Sequence, residues 1–337
     1  MQIAHHLKRP SFSSARFGNQ PAATKINIAA QADVFCKDLR ALQEESHGII
    51  RIGDEKVLHQ KVETYLTEKA NHLERALMIG AMAPSGAGKT TIMNSLAQAF
   101  ARLLNGPISS TANVDKAAPS LLPGQAQKPV VTNMNMDNYF KDNAARRAAL
   151  GDAKFFQTVD LDSPAAYQMQ QLSLDIDQLK AGRNIRSPQY DMTNSRSTPD
   201  HTPVTASPVT LVEGLMLFAK ESGATPPAAS PDLEPKFDLT MSVDLDNTQR
   251  KARWQQHQIE ARGGIGDGSQ KAHDDMWQKI ELKKAEYIDP RKPQMTIHID
   301  NAESREKVRE IMDRLAEITT NDLIMPFTGN RILQTAA

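Results

Sequence analysis

The stretch Ala83-Pro-Ser-Gly-Ala-Gly-Lys-Thr90 constrains this chain most, because it follows the apolar run 76–83 and opens a helix-like run at Thr90. Strand, small-residue turn and helix in that order let backbone N–H groups and a helix dipole converge on phosphate oxygens. Gly86, Ala87 and Gly88 allow the turn, Lys89 supplies a compact charge for the β- and γ-phosphates, and the Thr90 hydroxyl takes the position of a Mg²⁺ ligand. Ala83, Pro84, Ser85, Gly86, Ala87, Gly88, Lys89, Thr90 and Thr91 are therefore expected to hold ATP. Ala83 stands where the pattern begins with glycine, which is tolerable only if no positive φ is needed there. Ile92, Leu96, Phe100 and Leu103 then repeat at spacings of four, four and three, which marks one face of a helix.

A chain of 337 residues with 39% hydrophobic content can bury one large α/β core plus appendages. Forty basic residues balance forty acidic ones, so no global field points to nucleic acid or to a membrane surface. The single cysteine, Cys36, excludes an internal disulfide and fits a reducing, cytoplasmic setting. No apolar run approaches a membrane span, and the histidines show no metal-site spacing.

Residues 1–32 lack Asp and Glu but carry Lys8, Arg9, Arg16 and Lys25, and read as a basic disordered arm, with a targeting signal as the alternative. Residues 33–73 read as a helical extension, with Val34, Leu39 and Leu42 on one segment and Val57, Val62, Leu66 and Leu73 on another. A glycine-flanked break at 47–53 separates them. From 74 to 325 strand and helix patterns alternate, implying a parallel sheet with helices on both faces. Strands are expected at 77–83, 130–136, 209–212, 237–243 and 295–299, and helices near 165–181, 247–262 and 302–318. Two stretches rich in Pro, Ala and Ser, 105–128 and 221–235, read as inserted surface loops.

Asp137 follows an expected strand, at the sheet edge where ligands of open parallel sheets bind. A carboxylate there can take the proton of an attacking hydroxyl, although a turn aspartate would look the same. Glu213 ends the strand 209–212 and could support Mg²⁺ beside Thr90. Arg250-Lys-Ala-Arg253 leads to Arg262, a basic helix that could fold over a triphosphate or simply be a solvated face.

Together these motifs resemble the uridine kinase and phosphoribulokinase superfamily of P-loop small-molecule kinases, most closely its uridine kinase branch, over roughly residues 76–318. Asp137-Asn-Tyr-Phe-Lys-Asp142 is similar to that family's Asp-x-Tyr-Tyr-Lys-Asp segment, and 162–166 to its Asp-His-Pro-x-Ala segment. The run 185–191 with Ser195-Arg196 resembles its Pro-x-Tyr-Asp and Ser-Arg run, and 212–218 its Leu-Glu-Gly-Ile-Leu-Leu-Phe strand. The resemblance implies a P-loop NTPase fold, ATP and Mg²⁺ as cofactors, and a dimer or tetramer. It implies Asp137 as base, Lys89, Arg253 and Arg262 around the transferred phosphate, and Thr90 and Glu213 at the metal. Asp162, Tyr139, Tyr190, Asn194 and Arg196 would face a small-molecule acceptor, with the 5′-hydroxyl of uridine or cytidine expected first. The pattern departs at Asn194, His257, Gly264 and Asp275, where that branch carries a base-reading His, two lid arginines and a Gln. A sugar phosphate, pantothenate or glycerate acceptor, or a catalytically weak ATP-binding regulatory module, are the competing readings.

Overall fold

Alternate side chains of the run after Ala76 take opposite sides of a sheet: Leu77, Ile79 and Ala81 enter one apolar core, while Met78 and Met82 enter another. The computed structural model describes residues 26–111, 128–220, 230–262 and 269–328. Most of the expected basic arm and of both insertions, and Gly264, lie outside the described residues.

The elements run α1 (Ile28–Glu45), β1 (Ile50–Ile52), α2 (Glu55–Asn71), β2 (Leu77–Met82), α3 (Lys89–Leu103), β3 (Ile108–Ser110), β4 (Val131–Asn135), α4 (Ala144–Leu150) and α5 (Asp152–Thr158). They continue as α6 (Met169–Lys180), β5 (Ile185–Asp191), β6 (Arg196–Val204), β7 (Val209–Gly214), β8 (Leu239–Asp244), α7 (Asn247–Arg262), α8 (Gln270–Lys283), β9 (Ile297–Asp300) and α9 (Arg305–Thr319). Seven strands form one sheet in the order β1-β9-β8-β2-β7-β4-β3, parallel except for β1 against β9. Helices α1, α2, α3 and α9 pack on one face. Helix α6 and the β5–β6 hairpin cover the other.

Four local expectations need correction. The glycine-flanked break contains β1, which pairs Ile50 with Ile299 and extends the sheet edge. The insertion expected from residue 105 contributes β3, paired in parallel with β4. Helix α1 starts inside the expected arm, where Asn27 caps it by accepting from the Ala30 N–H. Val34, Val57 and Leu73 are exposed, and Phe35 and Leu58 bury the helical region instead.

The buried turn after α9 carries an electrostatic cost. Asp322 is 7% exposed and its Oδ2 has no hydrogen-bond partner. Burial first, and Asp38 on α1 second, push its carboxyl up to about 7. Below about pH 4 the group is protonated in both the folded and unfolded chain, so the penalty is absent there; it grows as pH rises and is complete above about pH 7. Asp322→Asn is expected to stabilise the fold more at pH 8 than at pH 5, by on the order of 2–3 kcal/mol in unfolding measurements at the two pH values.

Candidate active site

Register brings the site together at the carboxyl ends of the central strands. Ala81 of β2 lies opposite Glu213 of β7, and Glu213 lies opposite Asn135 of β4, two residues before Asp137. Gly214 lets the strands close up here, since a Cβ on it would overlap the Met136 side chain. Asp137 then sits on a short 3₁₀ turn, its N–H donating to Asn135 Oδ1 at 2.8 Å.

The loop from Ala83 to Gly88 has the backbone its sequence implies. Gly86 and Gly88 have φ of 80° and 86°, whereas Ala83 is not among the positive-φ residues, so alanine is compatible there. A Cβ on Gly86 would strike the Arg250 carbonyl, and one on Gly88 the Asn301 amide. Gly88 caps α3 without a side-chain acceptor, so side chains leave the first-turn N–H groups of that helix for another partner. An anionic phosphate meets that requirement.

Lys89 pairs with Glu213, which is 1% exposed, and the Thr90 hydroxyl donates to the same Glu213 oxygen at 3.0 Å. Burial opposes the Lys89 charge, but Glu213 and then Asp137 outweigh it and hold the ammonium above its ordinary value. Lys89 is therefore a fixed cation between two carboxylates. A hydroxyl and a carboxylate side by side are the hard oxygen donors Mg²⁺ prefers, so these residues fit Mg²⁺ with a triphosphate. Lys89→Ala should lower the Tm of the nucleotide-free protein, because it strips a buried carboxylate of its cation at a cost of about 3 kcal/mol. It should also abolish nucleotide-induced stabilisation, and thermal melts with and without ATP read both effects.

Arg253 lies beside the loop, its Nη2 donating to the Asn301 carbonyl at 3.4 Å. Arg262 ends α7, and its side chain is outside the described residues. Thr91 is exposed on the first turn of α3. Asp162 borders a tight crevice with Pro84, Ser85, Met216, Lys283 and Lys284, which places it beside the phosphate loop. The Tyr190 ring lies tilted against Phe140, three residues past Asp137, with centroids 5.2 Å apart.

Tyr139 is the expected substrate residue that the structure withdraws. It is fully buried and its hydroxyl donates to Asp175 at 2.7 Å, because the first aromatic after Asp137 turns into the core. Asn194 and Arg196 occupy the tip of the β5–β6 hairpin. The Asn194 amide donates to Asp191 at 2.6 Å, and Arg196 stands 3.8 Å from the same carboxylate. Of the other two described departures, His257 is exposed on α7 and Asp275 on α8.

Two further residues shape the loop. Arg250 is 1% exposed; its Nε donates to the Ser85 carbonyl at 3.2 Å, its Nη2 to Glu281 at 2.7 Å, and its guanidinium lies 5.0 Å from the Trp277 ring centre. Asn301 donates from Nδ2 to the Ala87 carbonyl at 2.7 Å. Asn301 follows β9 directly, so the strand-end rule that singles out Asp137 would have found it.

The profile described as the Phosphoribulokinase / Uridine kinase family matches residues 78–305. The chain is 24% identical over 187 residues to a uridine kinase of Borrelia hermsii, covering 55% of this chain and 69% of that protein. It is 24% identical over 216 residues to a uridine kinase of Halobacterium salinarum, covering 64% and 75%. It is 23% identical over 266 residues to mouse uridine-cytidine kinase-like 1, covering 75% and 41%. Among solved structures, YFH7 of Saccharomyces cerevisiae is similar with 11% identity and a TM-score of 0.43, covering 73% of this chain and 99% of that one. A Silicibacter sp. TM1040 protein named for a fructose transport system gives 16%, 0.45, 68% and 92%. With the phosphate loop, the strand-end acids and a family match across more than half its length, this chain belongs to the phosphoribulokinase / uridine kinase family.

Proposed function

We propose that the protein transfers the γ-phosphoryl group of ATP to a hydroxyl of a small polyol, with the 5′-hydroxyl of uridine or cytidine as the first acceptor to test. The observation that carries this reading is the convergence of Lys89, Thr90, Glu213 and Asp137 on one sheet edge, with Lys89 held charged between the two carboxylates. Mg²⁺-ATP supplies the electrophilic phosphorus and part of the charge neutralisation. The loop N–H groups and Lys89 hold the phosphates, Thr90 and Glu213 offer oxygen donors to the metal, and Asp137 accepts the proton of the attacking hydroxyl. Arg253, and Arg262 by family resemblance, add positive charge on the lid side. Asp162, by family resemblance, orients the acceptor from beside the loop.

The acceptor class is supported by the uridine kinase names of the curated relatives. One observation favours a sibling acceptor: Asn194 is already engaged with Asp191 on an exposed hairpin tip, away from its expected role as base reader. The deciding experiment is ADP formation with Mg²⁺-ATP against uridine, cytidine, D-glycerate, pantothenate and ribulose 5-phosphate. Acceptor-dependent turnover with any of them supports the transfer, and the best acceptor sets the class. ATP binding with no acceptor-dependent ADP would overturn it in favour of a nucleotide-binding regulatory role.

A further inference from the structure

Position 250 is an unfavourable place for a charge. Arg250 is almost wholly buried against Trp277, which forms a small apolar cluster with Trp254 and Ile280. A methionine or leucine would pack there without desolvating a guanidinium. What arginine adds is a hold on two separate elements, the Ser85 carbonyl of the phosphate loop through Nε and Glu281 of α8 through Nη2.

A phosphate loop works when its N–H groups face the ligand, so its carbonyls have to face elsewhere. The Pro84 carbonyl accepts from the Ala87 N–H at 3.2 Å, that of Ser85 from Arg250, and that of Ala87 from Asn301. The Arg250 main chain also closes on the loop, since its carbonyl stands where a Cβ on Gly86 would lie. One residue thus braces the loop with both its side chain and its backbone.

From Glu281 the contacts continue to the other half of the site. Ile280 and Lys283, on the last turn of α8, border the crevice that also holds Ser85 and Asp162. Lys283 pairs with Asp160 at 2.8 Å, and Asp160 accepts from the Asp162 N–H at 3.1 Å. Lys279, one turn back, donates to the Gln157 carbonyl. Helix α8 is therefore tied to the phosphate loop at Arg250 and to the segment carrying Asp162 at Lys279 and Lys283.

We infer that Arg250 is a positioning residue for both halves of the site. It holds the phosphate loop in its nucleotide-binding geometry directly, and through Glu281, α8 and Lys283 it fixes the backbone that carries Asp162. The second half rests on the kinase reading above, in which Asp162 orients the acceptor. Arginine suits the task because its fork reaches two partners at once, whereas lysine presents a single nitrogen.

Arg250→Lys keeps the charge but cannot hold Ser85 and Glu281 together. The Kd for ATP, from equilibrium titration, and the KM for the best acceptor of the panel should each rise about three- to tenfold. Glu281→Gln and Asp160→Asn loosen α8 at its two ends. Each should leave the Kd for ATP within about 1.5-fold and raise the acceptor KM about three- to fivefold. The double variant should go no further than the larger single change, because both cut one route. A lower Tm for Arg250→Lys with unchanged Kd for ATP and acceptor KM would overturn the inference and make Arg250 purely structural. An acceptor KM indifferent to Glu281→Gln and Asp160→Asn, or effects that multiply independently, would overturn the route through α8. A parent protein that binds ATP but phosphorylates nothing on the panel would sink the kinase reading and the acceptor half with it, while ATP titration of Arg250→Lys still decides the loop half.

Discussion

Asp137→Asn should lower turnover by about 10²- to 10⁴-fold, the range expected when a positioned general base is lost. The substitution keeps the size of the side chain, and the backbone N–H that fixes the turn on Asn135 is unaffected. ATP affinity should therefore change by no more than about twofold, while Lys89 loses the weaker of the two carboxylates that hold its charge. Steady-state kinetics paired with equilibrium ATP titration separate the two effects. A parallel fall in turnover and ATP affinity would mean that Asp137 acts on the nucleotide rather than on the acceptor.

The second large effect is expected at Gly86. Alanine there must adopt φ near 80° and place its Cβ against the Arg250 backbone carbonyl, which belongs to a helix anchored by Glu281 and Trp277. Neither the loop nor α7 can move aside cheaply, so Gly86→Ala should lose ATP binding by more than about tenfold and also lower Tm. Gly151→Ala is the control, since Gly151 has a φ of 72° but open space around its Cβ position. It should bear backbone strain alone and leave ATP binding unchanged. Equal losses in the two variants would show that strain, rather than the Arg250 contact, governs the loop.

The sequence made the phosphate loop and the central strands legible because their signals are local. A small-residue turn between an apolar run and a helical repeat has few alternatives, and period-two alternation places Met241 opposite Ile297 and Val243 opposite Ile299. β1 was hidden because its three residues gain their meaning only from β9, almost 250 positions away in sequence. β3 was hidden by composition, since it borders a stretch dominated by Pro, Ala and Ser. On the acceptor side, identity alone could not tell which aromatic of Tyr139-Phe140 faces inward. The hydrogen bond to Asp175 settles Tyr139 in the core and leaves Phe140 against the rings of Tyr167 and Tyr190. Arg250 was visible only as part of a basic run. Its burial against Ser85 and Trp277 is tertiary information that charge patterning does not carry.

If one sheet edge joins a nucleotide site to a hydroxyl acceptor, a phosphate ester must form there. ³¹P NMR of the purified protein with Mg²⁺-ATP and the acceptor panel tests it most directly. A phosphate-ester resonance should grow in step with ADP, depend on the acceptor and fall to near background in Asp137→Asn. Inorganic phosphate in place of an ester, at a rate indifferent to acceptor and to Asp137→Asn, would contradict it.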